Sequence, residues 1–218
     1  MGQREGVIIL KDIYLVLFHD TRRLWMELMT VFSGTRYNHL TISLDPLLKD
    51  IYGFVGLDGG RVIRCGIKHF PDGDCMILRK EVTEDQFERL KEQMRIAWNE
   101  KYRYSYHRFG ILFLALVMAP LYRMFRISLP RPLIRRIFNN PSKRTCGSFV
   151  GVLLDRAGIE FSPILGIPGT YNPYLMTCAT FREPEIVGFD VVFKGRVEEL
   201  AGKHAEIAAE SGVAVCTQ

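Results

Sequence analysis

The chain has 218 residues, of which 48% are hydrophobic and 24% charged, with a mean hydropathy of +0.04. This is the composition of one globular domain long enough to bury a core, and it excludes a disordered chain, a collagen-like repeat and a disulfide miniprotein. The net charge is +5, but it is unevenly placed: Lys101 to Leu154 carries ten basic residues and no acid, which leaves −5 for the rest.

Residues 7–18, rich in Ile, Val and Leu, predict a strand, with Lys11 and Asp12 marking a turn or an edge. Asp20 and Thr21 are suited to cap a helix carrying Leu24, Trp25, Leu28 and Phe32, which Gly34 ends. From Tyr37 to Asp45 the pattern alternates, with Leu40, Ile42 and Leu44 on one face and His39, Thr41 and Ser43 on the other. A strand is predicted over residues 51–57, followed by Gly-rich turns around short strands ending near Arg79. Thr83 and Gln86 form a capping box opening a helix with Phe87, Leu90, Met94, Ala97 and Trp98 on one stripe.

Residues 109–120 form the longest apolar run, well short of the ~20 residues needed to span a bilayer, and an ordinary core helix is the favoured reading. Prolines 120, 130, 132 and 141 then break the basic segment into short pieces. Residues 145–157 predict a helix stopped by Gly158, burying Phe149, Val150, Leu153, Leu154 and Ala157. A proline-rich loop over 162–173 leads to a strand near residues 187–193 and an amphipathic helix over 197–210.

Five cysteines, Cys65, Cys75, Cys146, Cys178 and Cys216, show neither a CxxC pair nor metal-type Cys/His spacing, so reduced thiols in a reducing compartment are expected. No metal or cofactor is expected either. Lys11 and Asp12 interrupt any leader-like apolar run, and Gly6 occupies the position where a myristoylation pattern wants Ser or Thr. The chain therefore reads as unprocessed and cytoplasmic, with peripheral attachment at the inner face of the membrane as a variant.

Cys146, in KRTCGSFVGVLLDRAG, falls in the first turn of its helix. The helix dipole and basic Lys143 and Arg144 would lower a thiol pKa there and raise the thiolate fraction a nucleophile needs. His39, at the head of its strand, supplies a candidate base, and Thr41 and Ser43 on its face are small enough to let a helix terminus approach. Beside these stand bland alternatives: a small buried hydrophobe at a helix start and a half-buried strand histidine. Cys65, Cys75, Cys178 and Cys216 are read as structural. His19, His69, His107 and His204 lack metal spacing.

Together, YNHLTISLD, an extended DIYGFVG and a much later TCGSFVGVLLDRAGI resemble the circularly permuted branch of the papain-like NlpC-type hydrolases. In the non-permuted members the cysteine motif precedes the histidine strand; here the order is reversed. The resemblance covers roughly residues 7–57 and 140–160. It implies an α+β fold, a small antiparallel sheet packed against helices in one permuted papain-like domain. It also implies Cys146 as nucleophile, His39 as general base and the Cys146 backbone N–H as part of an oxyanion hole. A third polar residue normally orients the imidazole; the natural alignment puts Gly53 there, with Tyr52 as a weak substitute.

The basic segment over residues 122–144 departs from that family. Its Arg123, Arg126, Arg131, Arg135 and Arg136 alternate with apolar side chains, a pattern suited to an anionic membrane surface and equally to a solvated loop. Nucleic acid ranks lower, because no aromatic stacking platform or reader motif accompanies the charge. The expected function is thiol-dependent hydrolysis or acyl transfer at an amide or ester of a peptide, wall fragment or lipid. The alternative is a noncatalytic scaffold that binds a membrane or a partner.

Overall fold

The computed structural model describes residues 9–20, 27, 30–31, 34–54, 62–70, 72–105, 110, 143–160 and 176–200. Strands β1 (Leu10–Phe18), β2 (His39–Ser43), β3 (Ile51–Gly53), β4 (Ile63–Cys65), β5 (Asp74–Thr83) and β8 (Asp190–Arg196) form one sheet in the order β4-β3-β2-β1-β5-β8. Every neighbouring pair in it is antiparallel. Helix α1 (Glu84–Asn99) follows β5, and helix α2 (Cys146–Arg156) comes later in the chain. Strands β6 (Arg103–Tyr104) and β7 (Lys143–Arg144) form a separate two-residue parallel pair. The class is α+β, an antiparallel sheet with packed helices.

The continuous apolar run of β1 reflects its central place, because both faces of the sheet are covered. Ile13, Leu15 and Leu17 point into a core shared with α1 and α2, whereas Tyr14, Val16 and Phe18 point into a second core with Leu48, Ile51, Ile67, Phe70, Ile77 and Phe193. Such a strand reads as an uninterrupted hydrophobic stretch rather than an alternation. No turn forms at Lys11 and Asp12: they stay in the ladder opposite Val82 and Glu81. β2 alternates as its sequence predicts, but all five residues are buried. Leu40 and Ile42 face the helices, and Thr41 and Ser43 face the other way.

α1 begins with the expected capping box, Thr83 Oγ1 accepting from the Gln86 N–H and Gln86 Oε1 accepting from the Thr83 N–H. Leu90, Met94 and Ala97 are buried, but Trp98 is 43% exposed and does not complete the predicted stripe. β5 runs past Arg79 to Thr83, and the last strand begins at Asp190 because Pro184–Val187 is a 3₁₀ turn closed by left-handed Gly188. β3 ends at Gly53, since Phe54 already lies outside the strand, and 55–61 lie outside the described residues. The same holds for the apolar run after Gly110, most of the basic segment, the proline-rich loop through 175 and residues 201–218. Among the described residues no helix is long and apolar enough to cross a membrane.

Candidate active site

Thr145 sets where α2 begins. Its Oγ1 accepts from the Ser148 N–H at 3.2 Å and its own N–H donates to Ser148 Oγ at 2.8 Å, closing a capping box that leaves Cys146 as the first helical residue. From there the 3.6-residue period carries Phe149, Val150, Leu153, Leu154 and Ala157 onto the face of the sheet that also buries Leu40 and Ile42. The helix thus lies along the Leu40/Ile42 face, not the face of Thr41 and Ser43. Those two hydroxyls serve the backbone instead, Thr41 donating to the Val16 carbonyl and Ser43 to those of Asp45 and Asp50.

His39 is held at the start of β2 by the residue before it. Asn38 Oδ1 accepts from the Asp20 N–H at 2.9 Å and Asn38 Nδ2 donates to the Asp20 carbonyl at 3.0 Å. The Asn38 N–H donates to the Phe18 carbonyl at 3.2 Å. The imidazole, 6% exposed, stacks edge-on against Phe18 with ring centroids 4.6 Å apart, and Phe18 is backed in turn by Phe70. Its Nε2 is hydrogen-bonded to the backbone carbonyl of Phe54. A carbonyl only accepts, so Nε2 carries the proton and the lone pair of the neutral ring resides on Nδ1.

Phe54 directly follows β3. Tyr52 pairs with Ile42 and Ile51 with Ser43, so Gly53 lies beside Thr41 and Phe54 beside Leu40. β3 ends at Gly53; the Phe54 carbonyl goes to His39, and the Leu40 amide faces the sulfur of Cys146. The sulfur therefore meets the backbone of Leu40, the residue after His39, while the imidazole itself packs beside Phe18 on the sheet face opposite α2.

The electrostatics differ from those expected of a basic helix start. Burial pushes the Cys146 thiol above its ordinary value, and the backbone amides of Leu40, Gly147 and Cys146 oppose that only in part. The helix terminus acts in the anticipated direction, but desolvation of a thiolate outweighs it. The resting group is a neutral thiol. Arg144, expected to help lower the thiol pKa, is itself buried at 2% exposure.

Tyr52, the expected orienting residue, looks elsewhere. Its ring packs with the Ile42 face of the sheet, the Arg64 guanidinium lies 5.9 Å from its centroid, and Arg64 is held by Asp50 at 2.8 and 2.7 Å. At Gly53 a Cβ would stand 2.4 Å from Thr41 Cγ2, so the Thr41 methyl fills the place of any side chain there. What meets the ring is main chain, which no residue-type motif could have announced.

Cys178 is a second group that sequence reasoning missed. The segment Met176–Cys178 lies directly on the first turn of α2: a Cβ at Gly147 would be 2.0 Å from the Met176 carbonyl oxygen and 3.0 Å from Thr177 Cα. Cys178 is buried, and burial followed by the nearness of Cys146 pushes its thiol well above the ordinary range. Nothing in the local sequence around Cys178 signals this, because the approach is tertiary.

Arg123, Arg126, Arg131, Arg135 and Arg136 lie outside the described residues. His19 pairs with Glu27 at 3.2 Å, and His69 Nδ1 lies 3.3 Å from the Gly66 carbonyl. Among the described residues no group of three or more His, Cys, Asp or Glu side chains could hold a metal ion. Compared with family models, with curated proteins and with solved structures, the chain matches none.

Proposed function

We propose that this chain is a thiol-dependent hydrolase or acyltransferase with a permuted papain-like arrangement, Cys146 serving as nucleophile and His39 as general base. The observation that carries the reading is the Leu40 amide facing the Cys146 sulfur while the neighbouring His39 has its Nε2 held by the Phe54 carbonyl. That hydrogen bond does what an orienting side chain does elsewhere: it fixes the tautomer and leaves Nδ1 basic. Because burial keeps the thiol protonated, proton transfer accompanies attack rather than preceding it.

In this mechanism the sulfur attacks the carbonyl carbon of an amide or ester as Nδ1 takes the thiol proton. The Cys146 backbone N–H stabilises the developing oxyanion. Collapse of the tetrahedral intermediate yields a thioester, and the imidazolium returns its proton to the departing amine or alcohol. Water or an acceptor, deprotonated by the same nitrogen, then releases the acyl group. The substrate class is a peptide or a lipid bearing such a bond.

The depth of Cys146, 9% exposed, and the occlusion of the Gly53 position favour a second reading, a noncatalytic scaffold that binds through its basic segment. An activated acyl ester separates the two. With the enzyme, intact-protein mass spectrometry shows an acyl adduct on Cys146 that Cys146→Ala eliminates and that forms about 10²-fold more slowly in His39→Ala. Acylation spread over surface lysines, with no adduct on Cys146, establishes the scaffold instead.

A further inference from the structure

We infer that Cys146 and Cys178 are a reversible dithiol–disulfide pair, Cys178 acting as the partner that captures Cys146 after a peroxide has oxidised it. The close packing of Gly147 against Met176 and Thr177 places the two cysteines on either side of one tight backbone contact, Cys146 just before Gly147 and Cys178 just after Thr177. Both thiols are buried and reduced, and the charge on one is felt by the other. No side chain at position 147 keeps these backbones apart, and a disulfide demands such a close approach of the two chain segments that carry it.

The chemistry balances with a hydroperoxide as oxidant. The Cys146 sulfur attacks one peroxide oxygen as the thiol proton passes to the departing oxygen; the O–O bond breaks, Cys146 becomes a sulfenic acid, oxidised by two electrons, and the other oxygen leaves as water from hydrogen peroxide or as an alcohol from an organic hydroperoxide. The Cys178 thiol then displaces the hydroxyl from that sulfur, forming the S–S bond and releasing a second water. A dithiol reductant reverses the step by exchange. Capture by Cys178 protects Cys146 from the irreversible sulfinic and sulfonic states. Disulfide formation depends on proximity alone; only its consequence, reversible loss of acyl transfer, rests on the function proposed above.

The test treats the reduced full-length chain with hydrogen peroxide, alkylates the remaining thiols and maps the peptides by mass spectrometry with and without dithiothreitol. The expected result is the loss of two titratable thiols per chain and a reductant-sensitive peptide pair joined through Cys146 and Cys178. In Cys178→Ser the pair is lost and Cys146 accumulates as sulfinic acid, whereas Cys65→Ser and Cys75→Ser leave it intact. Cys146 joined mainly to Cys65, Cys75 or Cys216, or over-oxidised in the wild-type chain while Cys178 stays alkylatable, overturns the inference. The wild-type mapping decides even if a variant fails to fold. A Cys146–Cys178 bond in a chain that never acylates Cys146 keeps this inference and removes the proposed function.

Discussion

At the scale of single residues, the arrangement around His39 turns on what Gly53 lacks. Its absent side chain leaves room for the Thr41 methyl, and the following carbonyl then serves the imidazole. Gly53→Ala should cost about 1–3 kcal/mol through overpacking. Thr41→Ser, which deletes only the methyl in the way, should recover part of that loss in the double variant. Urea unfolding of the four chains measures the coupling; strictly additive losses would show that the methyl does not fill this space. The histidine, the cysteine and its place in a first helical turn were readable from YNHLTIS and TCGSFV because they depend on local patterning. The Phe54 carbonyl was not, since every residue type presents the same main chain. The direction of the thiol shift also escaped sequence reasoning: a helix start is visible in a sequence, but the desolvation that outweighs it depends on chain packed from elsewhere.

Among the elements, α2 sets the position of the sulfur. Its alignment comes from Phe149, Val150, Leu153 and Leu154 packed on the helix-facing side of the sheet, and its first residue is fixed by Thr145. Thr145→Ala removes the side-chain oxygen that accepts from the Ser148 amide, so a loss of about 1 kcal/mol is expected in denaturant unfolding. Because that cap also anchors Cys146, the variant should acylate more slowly than Thr145→Ser, which keeps the oxygen. Equal rates in the two variants, with both folded, would mean the cap holds the helix without positioning the sulfur. Periodicity announced both helices, since each buries a stripe. It failed where an element is defined by its partners: β3 is three residues long, and β5 continues to Thr83 because β1 pairs with it that far.

For the molecule as a whole, a sheet covered on both faces buries thiols and phenols along with its aliphatic side chains. Burial, reinforced by Asp74, Glu199 and Glu198, pushes Cys75 up to about 12. Tyr37 and Tyr52 are raised in the same direction, mainly by burial. Below the ordinary thiol value of about 8.5 the folded and unfolded chains both keep the Cys75 proton, and nothing is lost. Above it the unfolded chain releases a proton that the folded chain retains until about 12, so stability falls as pH rises through that window. The slope from one such group approaches about 1.4 kcal/mol per pH unit. Urea unfolding at a series of alkaline pH values should show this decline, and Cys75→Ala should flatten it; an unchanged slope would mean that Cys75 ionises in the folded chain as it does in the unfolded one. The α+β class was legible because strand and helix patterns alternate in blocks. The sheet order was not, since β8 joins β5 from the far end of the chain.

The central claim is that His39 Nδ1 takes the proton of a buried, neutral Cys146 thiol, and the rate of Cys146 alkylation by iodoacetamide against pH tests it most directly. The wild-type chain should react about 10²-fold faster than His39→Ala at neutral pH, and the two curves should converge at high pH, where hydroxide does the work of the imidazole. Superimposed curves across the whole range would contradict the account.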